Sequence, residues 1–374
     1  MWTDRLYRVF LKAGKSMFWK RKSSLSVQGS EFRPLPDIDG ETCVHSISVL
    51  AQCQVCVDAC PEKAIILNDE MLGLDENACT SCGLCQAVCP QSAITVEADP
   101  VELGDILVLV CEKVKTAHIQ KQIRCVHQIG LEQLAGFYQK GIRKIAMKIA
   151  DCPSCHYYGK IAGNKSPALE DHCRHFNLLV RSRGLEPLAL VSATPTEIER
   201  WNVEASGNEL ENLGRRKLFT GLGDHLAGQG NEELAEEGAR QMADLQSVGN
   251  DKDDTIFFAV PNLDQHLCDG CDACVRICPT QALTKINEGP EQNCYKVHPQ
   301  SCTGCGLCRD VCAADAVNLR AMTVCETRAV PLQAFVCTSC GVTCHVPEAK
   351  DNEGCLCRVC AQAGQHKKLF QVLK

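Results

Sequence analysis

The spacing of cysteines constrains this chain more than any other feature of its sequence. Residues 268–312 contain two complete runs of the form Cys-x2-Cys-x2-Cys-x3-Cys, which begin at Cys268 and Cys302. Three thiolates spaced in this way wrap one face of an iron-sulfur cubane, and the fourth reaches the neighbouring cluster. The sequence therefore predicts two [4Fe-4S] clusters, one held by Cys268, Cys271, Cys274 and Cys312 and the other by Cys278, Cys302, Cys305 and Cys308.

Residues 256–322 resemble a bacterial-type two-cluster ferredoxin domain, including the turn Pro279-Thr280-Gln281-Ala282 after a fourth cysteine. One position departs from the pattern, because Ala313 stands where proline is usual. Two zinc sites are the alternative, but zinc does not require the fourth cysteine of each run to cross to the other site. The resemblance implies a ferredoxin-like fold that holds two [4Fe-4S] clusters.

An earlier and imperfect copy of the pattern lies in residues 40–100. Its second run is intact, whereas Leu50 stands where the first thiolate of its first run belongs. We expect one [4Fe-4S] cluster on Cys60, Cys79, Cys82 and Cys85, and a second on Cys53, Cys56, Cys89 and, through a longer loop, Cys43. A three-iron cluster or a water-ligated iron is the alternative for the second site. The chain thus resembles a polyferredoxin with two modules and four cubanes.

The 29 cysteines are expected to bind metal rather than to pair as disulfides. The first 30 residues lack the continuous apolar segment and cleavage site of a secretory signal. The sequence also contains no run of about 18 apolar residues that would span a membrane. These features predict a cytoplasmic protein, and cytoplasmic thiols stay reduced.

Charge is unevenly distributed along the chain. The net charge of −7 argues against nucleic-acid binding as the main role. Residues 1–30 predict a basic amphipathic helix that lies on an anionic membrane, docks on a partner subunit, or is simply a frayed terminus. The first interpretation would hold the protein peripherally at the inner face of the membrane. Residues 193–255 are acidic and polar, and they predict a solvated connector.

The region 104–192 alternates predicted strands with predicted helices. The strands are Ile106–Val110, Lys144–Ala150 and Pro187–Val191, with a further short one at Gln122–Arg124, and the helices are Leu131–Lys140 and Ala168–Arg183. This alternation predicts a small α/β domain with a parallel sheet, whose functional crevice lies beyond the carboxyl ends of the strands. Cys111, Cys125 and Cys152 follow such strand ends.

The same region resembles the delta subunit of methyl-viologen-reducing hydrogenase, an iron-sulfur protein associated with heterodisulfide reductase. The resemblance rests on Ile123-Arg124-Cys125, on Asp151-Cys152-Pro153-Ser154-Cys155-His156-Tyr157, and on Gly163-Asn164. It implies a [2Fe-2S] centre on Cys111, Cys125, Cys152 and Cys155. The segment Lys113–Lys115 departs from the family, which carries a second cysteine there. A docking domain that has buried cysteines and no cluster is the alternative.

The tail, residues 323–374, carries a different cysteine pattern. Cys337-x2-Cys340 and Cys357-x2-Cys360 have the spacing of a zinc ribbon, so we expect one structural zinc ion on these four thiolates. Other nearby residues offer alternatives, either as replacement ligands or as ligands of a further iron-sulfur cluster. These are Cys325, Cys344, His345 and Cys355.

Together these patterns predict an α+β multidomain chain with two ferredoxin-like modules, an α/β domain between them and a zinc-ribbon-like tail. Gly221-x-Gly223 does not complete a dinucleotide fingerprint, and no phosphate loop or nucleophile elbow occurs, so we assign no catalytic residue. We expect an electron-transfer subunit of an oxidoreductase complex, which relays single electrons between a catalytic dehydrogenase, hydrogenase or reductase and an electron carrier or membrane component.

Two other functions fit the same residues. The first is a maturation or scaffold protein that delivers iron-sulfur clusters to a client enzyme. The second is a self-sufficient reductase that uses Cys152 and Cys155 as a thiol site.

Overall fold

The structure is a computed structural model that describes residues 34–68, 72–115, 121–157, 168–198, 200–201, 241–249, 254–287, 293–350 and 356–366. The predicted basic helix in residues 1–30 and most of the predicted acidic connector lie outside these ranges, as do Gly163-Asn164 and Cys355. Among the described helices, none combines the length and the apolar character that crossing a membrane requires.

Residues 34–96, here called module 1, form two very small antiparallel sheets. Strand β1 (Asp37–Ile38) pairs with β4 (Ile94–Thr95), and β2 (Ile65–Leu67) pairs with β3 (Leu72–Leu74). Three short helices lie between the strands: α1 (Val44–Ile47), α2 (Val55–Ala59) and α3 (Leu84–Val88). Three of the seven buried residues in the core of module 1 are cysteines. Bound metal therefore has to supply much of the stability that apolar packing provides elsewhere.

The middle region forms one four-stranded sheet in the order β5-β6-β7-β8. Its strands are β5 (Val101–Leu103), β6 (Ile106–Val110), β7 (Lys144–Lys148) and β8 (Ala189–Ser192), and its helices are α4 (Leu131–Gln139) and α5 (Leu169–Ser182). Strands β6, β7 and β8 are parallel, and β5 adds an antiparallel edge that the sequence pattern does not predict. The predicted strand Gln122–Arg124 is reduced to one parallel bridge between Ile123 and Cys111.

Strand β6 is apolar along its whole length because both faces of the sheet are covered. Leu107 and Leu109 point into the core under α4 and α5. Val108 and Val110 point to the other face, where Trp201 packs against them. The continuous run Ile-Leu-Val-Leu-Val therefore forms the buried strand that carries Cys111 at its carboxyl end.

Residues 254–324, here called module 2, are built on longer strands than module 1. Strands β9 (Ile256–Leu263) and β12 (Val317–Val324) pair over eight residues each. Strands β10 (Leu283–Ile286), β11 (Cys294–Val297), β13 (Ala329–Val336) and β14 (Thr343–Pro347) form a second antiparallel sheet in that order. The helices are α6 (Ala273–Ile277), α7 (Leu307–Asp310) and, in the tail, α8 (Arg358–His366).

The tail strands β13 and β14 extend the sheet of module 2. Strand β13 pairs with β11, which brings Pro331 opposite Cys294 and Val330 opposite Tyr295. An unpaired strand edge offers free N–H and C=O groups, and β13 satisfies those of β11. The tail thereby becomes part of the hydrogen-bonded framework of module 2.

Candidate metal centres

Twenty-four of the described cysteines group into six sets of four, and all described cysteines are free thiols. Module 1 contains site A (Cys43, Cys53, Cys56, Cys89) and site B (Cys60, Cys79, Cys82, Cys85). Module 2 contains site C (Cys268, Cys271, Cys274, Cys312) and site D (Cys278, Cys302, Cys305, Cys308). The middle region contains site M (Cys111, Cys125, Cys152, Cys155), and the tail contains site T (Cys337, Cys340, Cys357, Cys360).

The sulfurs of sites B, C and D each line a common small cavity. These cavities have volumes of about 10 Å³ at sites B and C and about 20 Å³ at site D. In each module the third cysteine of a run lies in a short helix and the fourth follows the helix end, as Cys56 and Cys60 do around α2. Because the chain turns at that point, the fourth cysteine is carried to the other site of its module. The grouping is the crossed one that the sequence predicts.

Cys43 lies near the other three cysteines of site A. Burial and the neighbouring thiols of Cys89, Cys53 and Cys43 together raise the pKa of the Cys56 thiol to about 12. Helix α1 follows Cys43 directly, and its His45 lies 2.8 Å, Nε2 to oxygen, from the Cys53 carbonyl. This contact folds the segment back onto the module, whereas the Leu50 side chain points outward and is 56% exposed.

The same backbone turn follows each fourth cysteine. In three of these turns, the backbone N–H group four residues after the cysteine donates to its sulfur at 3.2 Å. In the fourth turn, the sulfur of Cys89 accepts the same hydrogen bond. The donors are all buried alanines: Ala64, Ala93, Ala282 and Ala316. The residue before each alanine has a left-handed backbone, at Lys63, Ser92, Gln281 and Asp315.

This turn depends on backbone geometry more than on proline. Site C keeps it after Cys312, although Ala313 replaces the usual proline. Holding a residue other than glycine in the left-handed region is unfavourable, so four repeats indicate a strongly determined local structure. N–H groups aimed at sulfur stabilise extra negative charge on a bound cluster and so raise its reduction potential. A repeated alanine four residues after cysteine is the sequence signal for this turn.

Burial makes a bare thiolate unfavourable at these sites. It raises the pKa of the Cys82 thiol to about 11 and that of the Cys274 and Cys302 thiols to about 12. A buried thiolate is costly without a positive partner, and a metal core would supply that partner while it displaces the protons. The donor sets of sites A to D fit iron-sulfur clusters on spacing, and their thiolates need the positive charge of such a core.

Site M surrounds a cavity of about 330 Å³ beyond the carboxyl ends of β6 and β7. The thiols of Cys111, Cys125, Cys152 and Cys155 line it and interact electrostatically with one another. Lys113 and Arg124 stand at its wall, and both pair with Glu112, at 3.2 Å each. The cavity lies at the edge of the parallel sheet where the sequence pattern predicts the crevice, and four thiolates fit a [2Fe-2S] centre.

His127 contributes to site M, and the cysteine pattern alone does not identify it. Its Nδ1 accepts a 2.9 Å hydrogen bond from the Leu169 N–H, and burial lowers the pKa of the imidazole. The neutral ring therefore carries its proton on Nε2, which lies 3.9 Å from the Cys152 sulfur. His127 is thus oriented as an N–H donor toward a cysteine of site M.

Site T has the geometry of a mononuclear site. All four sulfurs lie within 4.8 Å of one another, and those of Cys340 and Cys357 are 3.8 Å apart. Four sulfurs at about 2.3 Å from one tetrahedral metal ion are separated by about 3.8 Å. The Cys357 N–H donates to the Cys337 sulfur at 3.2 Å, which lowers the pKa of the Cys337 thiol to about 6. The donor set fits zinc or another ion that accepts four thiolates.

Among the alternative ligands for site T, the structure gives His345 a different role. Its Nε2 lies 2.8 Å from Asp272 Oδ1 and 3.1 Å from the Tyr295 hydroxyl, and its Nδ1 lies 3.1 Å from Lys285 Nζ. Asp272 belongs to the ligand loop of site C, so His345 ties β14 to that loop. Cys344 lies beside site T and interacts with its thiols, whereas Cys294 is buried in β11.

The tail covers the ligand loop of site C at further points. Gly270 approaches the His345 carbonyl so closely that a Cβ would clash with it, and its φ of +69° also favours glycine. Lys350 Nζ donates to the Leu267 carbonyl at 3.0 Å. Arg358, next to Cys357, lies 3.6 Å from Asp269, next to Cys268. Sites C and T are therefore neighbours.

Comparison with known proteins agrees with this geometry. A family model described as a 4Fe-4S dicluster domain matches residues 51–93 and again residues 267–316. No curated protein matches the chain. Cys43 lies outside the first matched segment, as does Leu50. The chain therefore carries two ferredoxin-like modules of the 4Fe-4S dicluster type, one around sites A and B and the other around sites C and D.

Proposed function

We propose that this chain is the electron-transfer subunit of an oxidoreductase complex. It relays single electrons between a catalytic dehydrogenase, hydrogenase or reductase subunit and an electron carrier or membrane component. The observation that carries the proposal is the presence of two 4Fe-4S dicluster modules in one chain. A bound [4Fe-4S] cluster accepts and releases one electron without making or breaking a bond in a substrate.

The residues of the chain hold and tune such clusters. Sites A to D supply sixteen thiolates, and the alanine N–H groups after the fourth cysteines donate to sulfur. Burial of the ligand loops limits access of water and oxygen to the sulfurs. Each of these factors sets a reduction potential. Cys43 completes site A as the fourth ligand in this proposal.

The middle region is the adaptor of the proposed subunit. Site M holds a [2Fe-2S] centre, and the surrounding α/β domain docks on a partner subunit. The support for a cluster is the convergence of four thiols on one cavity with an imidazole N–H beside Cys152. The support for exchange with a partner is that Asp151, Ser154 and His156, which line this cavity, are exposed.

The tail has a structural role in the proposal. Site T holds one zinc ion, which fixes β14 and α8 over the ligand loop of site C. The support is the separation of the four sulfurs, which suits a single ion better than a polynuclear cluster. The subunit works in the cytoplasm, and the basic sequence of residues 1–30 brings it to the inner face of a membrane or to a partner.

Anaerobic metal analysis combined with an EPR redox titration tests the proposal. We expect about 18 iron atoms and one zinc ion per chain, with every cluster reduced and reoxidised reversibly. A content of about 16 iron atoms would mean that site M holds no [2Fe-2S] centre, while the rest of the proposal would stand. Colourless protein without iron would overturn the proposal, and irreversible transfer of clusters to an apo-acceptor would favour the scaffold function instead.

A further inference from the structure

We propose that the five cysteine sites of the two modules and the middle region form one line, C-D-A-B-M, with module 1 in the middle. Gln91 and Glu62 are the positioning residues that join module 1 to its two neighbours. The inference rests on the proposed electron-transfer function and adds to it the order of the centres, which the cysteine spacing does not contain.

Module 1 meets module 2 at sites A and D. The Gln52 N–H donates to Asp310 Oδ2 at 2.9 Å, so the residue beside Cys53 contacts the helix that carries Cys308. The Asp310 side chain is almost fully buried in this contact. Cys305 of site D is close enough to Cys53 of site A to interact with it electrostatically. Site A is therefore the neighbour of site D.

Gln91 crosses this interface with a side chain that is almost fully buried. Its Nε2 donates to Thr303 Oγ1 at 2.8 Å. The side chains of Thr303 and of Gln91 itself both reach the Cys305 sulfur as hydrogen-bonding neighbours. An amide that follows Cys89 of site A in the chain thus donates toward a sulfur of site D.

Module 1 meets the middle region at its other end. Cys82 and Leu84 pack with Cys125 and Tyr157 in one buried cluster, against which Cys155 also packs. The Cys125 thiol is close enough to the Cys82 thiol of site B, as well as to those of Cys111 and Cys155 in its own site, to interact with it electrostatically. Site B is therefore the neighbour of site M.

Glu62 bridges this second interface. Its Oε1 lies 2.7 Å from His156 Nε2, and His156 directly follows Cys155 of site M. Glu62 itself lines the cavity of site B. The carboxylate thus links the walls of two adjacent sites.

The two bridging residues occupy the same position in the two halves of module 1. Gln91 follows Cys89-Pro90, and Glu62 follows Cys60-Pro61. The two-fold repeat of the module directs these positions to opposite ends. In module 2 the equivalent residues are Thr280 and Ala314, and Thr280 lies 3.8 Å from its own Cys278 sulfur. Module 1 therefore carries a linking residue at each end, and neither half of module 2 shows an equivalent bridge among the described contacts.

Each step along the line moves one electron from a reduced cluster to the oxidised cluster beside it. The donor loses one electron and the acceptor gains it, and no proton or covalent bond is exchanged. Sites C and M are the two ends, so a one-electron donor at one end and a one-electron acceptor at the other complete the path. Loss of sites A and B would remove the two intermediate centres from this path.

The experiment is an anaerobic EPR titration of the iron-loaded full chain with dithionite. The signal of site D is identified by its loss in Cys308→Ser. In Gln91→Leu, an N–H donor toward a sulfur of site D is removed, so the ratio of reduced to oxidised site D at a fixed potential should fall about threefold to tenfold. In Gln91→Glu the fall should be larger, because a negative charge faces the same sulfur.

Gln139→Leu is the matched control, because it removes a glutamine hydrogen bond to the Gln241 carbonyl away from all cysteine sites. The reduction potential of site D should stay unchanged in this control variant.

The order of the sites is tested in the fully reduced protein, where neighbouring clusters couple magnetically. Loss of site D in Cys308→Ser should change the EPR signal of site A. Loss of site C in Cys268→Ser should leave the signal of site A unchanged. Loss of site M in Cys125→Ser should change the signal of site B and of no other remaining site.

The outcomes separate this inference from the function on which it rests. Full iron content and reversible titration, with a site D potential unchanged in both Gln91 variants, would overturn the role of Gln91 and leave electron transfer intact. An EPR signal of site A that stays unchanged after the loss of site D would overturn the proposed order of the sites. Loss of iron from the unmodified protein would instead remove the proposed function itself.

Discussion

Modules 1 and 2 carry the same cysteine arrangement on very different amounts of secondary structure. The outer strand pair of module 2, β9 and β12, is eight residues long on each side, and its second sheet continues into the tail. The outer pair of module 1, β1 and β4, is two residues long on each side. We infer from the difference that the ligand loops need little sheet around them where metal and neighbouring domains supply the stability.

The position of module 1 between two neighbours explains how it remains ordered. Its helix α3 approaches the middle region, where Gly130 lies so close to the Ala87 carbonyl that a Cβ would clash. Gln91 and Glu62 bridge to module 2 and the middle region. Module 1 has few backbone hydrogen bonds of its own, so we infer that its order depends on clusters and interfaces. Module 2, in contrast, has a framework of hydrogen-bonded strands of its own.

Removing iron should give the largest effect, and the two modules should respond to it differently. In protein stripped of iron without oxygen, amides of β1 to β4 should exchange hydrogen at least about tenfold faster, while those of β9 and β12 keep most of their protection. Hydrogen-deuterium exchange read by mass spectrometry measures this. Equal loss of protection in both modules would contradict the comparison.

Replacing Cys43 should have the next largest effect. Cys43→Ala removes the displaced ligand of site A, so we expect a three-iron cluster or an empty site there, with a loss of about one to four iron atoms per chain. Iron analysis and EPR of the oxidised protein detect it.

The matched variant in module 2 is Cys268→Ala, which removes the corresponding ligand of site C. A further variant, Leu50→Cys in the Cys43→Ala background, restores a thiolate at the usual position and should recover the lost iron. If Cys43→Ala keeps all its iron and an unchanged spectrum, Cys43 is not a ligand and the imperfect run of module 1 needs another explanation.

The tail provides a third and smaller effect, which is confined to module 2. Cys337→Ala should lose about one metal ion per chain and lower the Tm of module 2 by a few degrees, because site T fixes β14 over the loop of site C. Elemental analysis and calorimetry measure the two changes. Cys344→Ala is the control and should retain the metal. A tail that binds no metal in either protein would refute the assignment of site T.

The smallest effect concerns the stability of the middle region, against which module 1 packs. Burial raises the pKa of Glu132, in the first turn of α4, from 4.5 to about 8. Between those values the folded state keeps a proton that the unfolded state releases, so stability falls as pH rises through this window. Glu132→Gln should flatten that slope and stabilise the protein at pH 8 by roughly 1 to 4 kcal/mol.

Thermal unfolding at pH 5 and pH 8 measures the effect of Glu132→Gln. The variant and the unmodified protein should differ little at the lower pH and more at the higher one. A variant that is equally destabilised at both values would mean that the carboxylate makes a favourable contact instead.

Much of the candidate chemistry was predictable from the sequence. The spacing of Cys268 to Cys312 predicts the crossed grouping in module 2, and the alternation around Ile106–Val110 predicts a parallel sheet with cysteines at its carboxyl edge. These features are local, because a few residues of chain limit where a thiol or a strand end lies. The edge strand β5 and the short bridge at Ile123 were not predictable, since pairing partners depend on the whole sheet.

For sites B, C and D, the sequence by itself determined which cysteines the fold brings together, because those sites are built by short segments of fixed spacing. Only the tertiary structure decided which sites are neighbours. Gln91 meets Thr303 across 212 residues of chain, and β13 joins β11 although helix α7 and strand β12 lie between them in the chain. Such contacts depend on how whole surfaces pack, and the sequence around either partner carries no local record of the other.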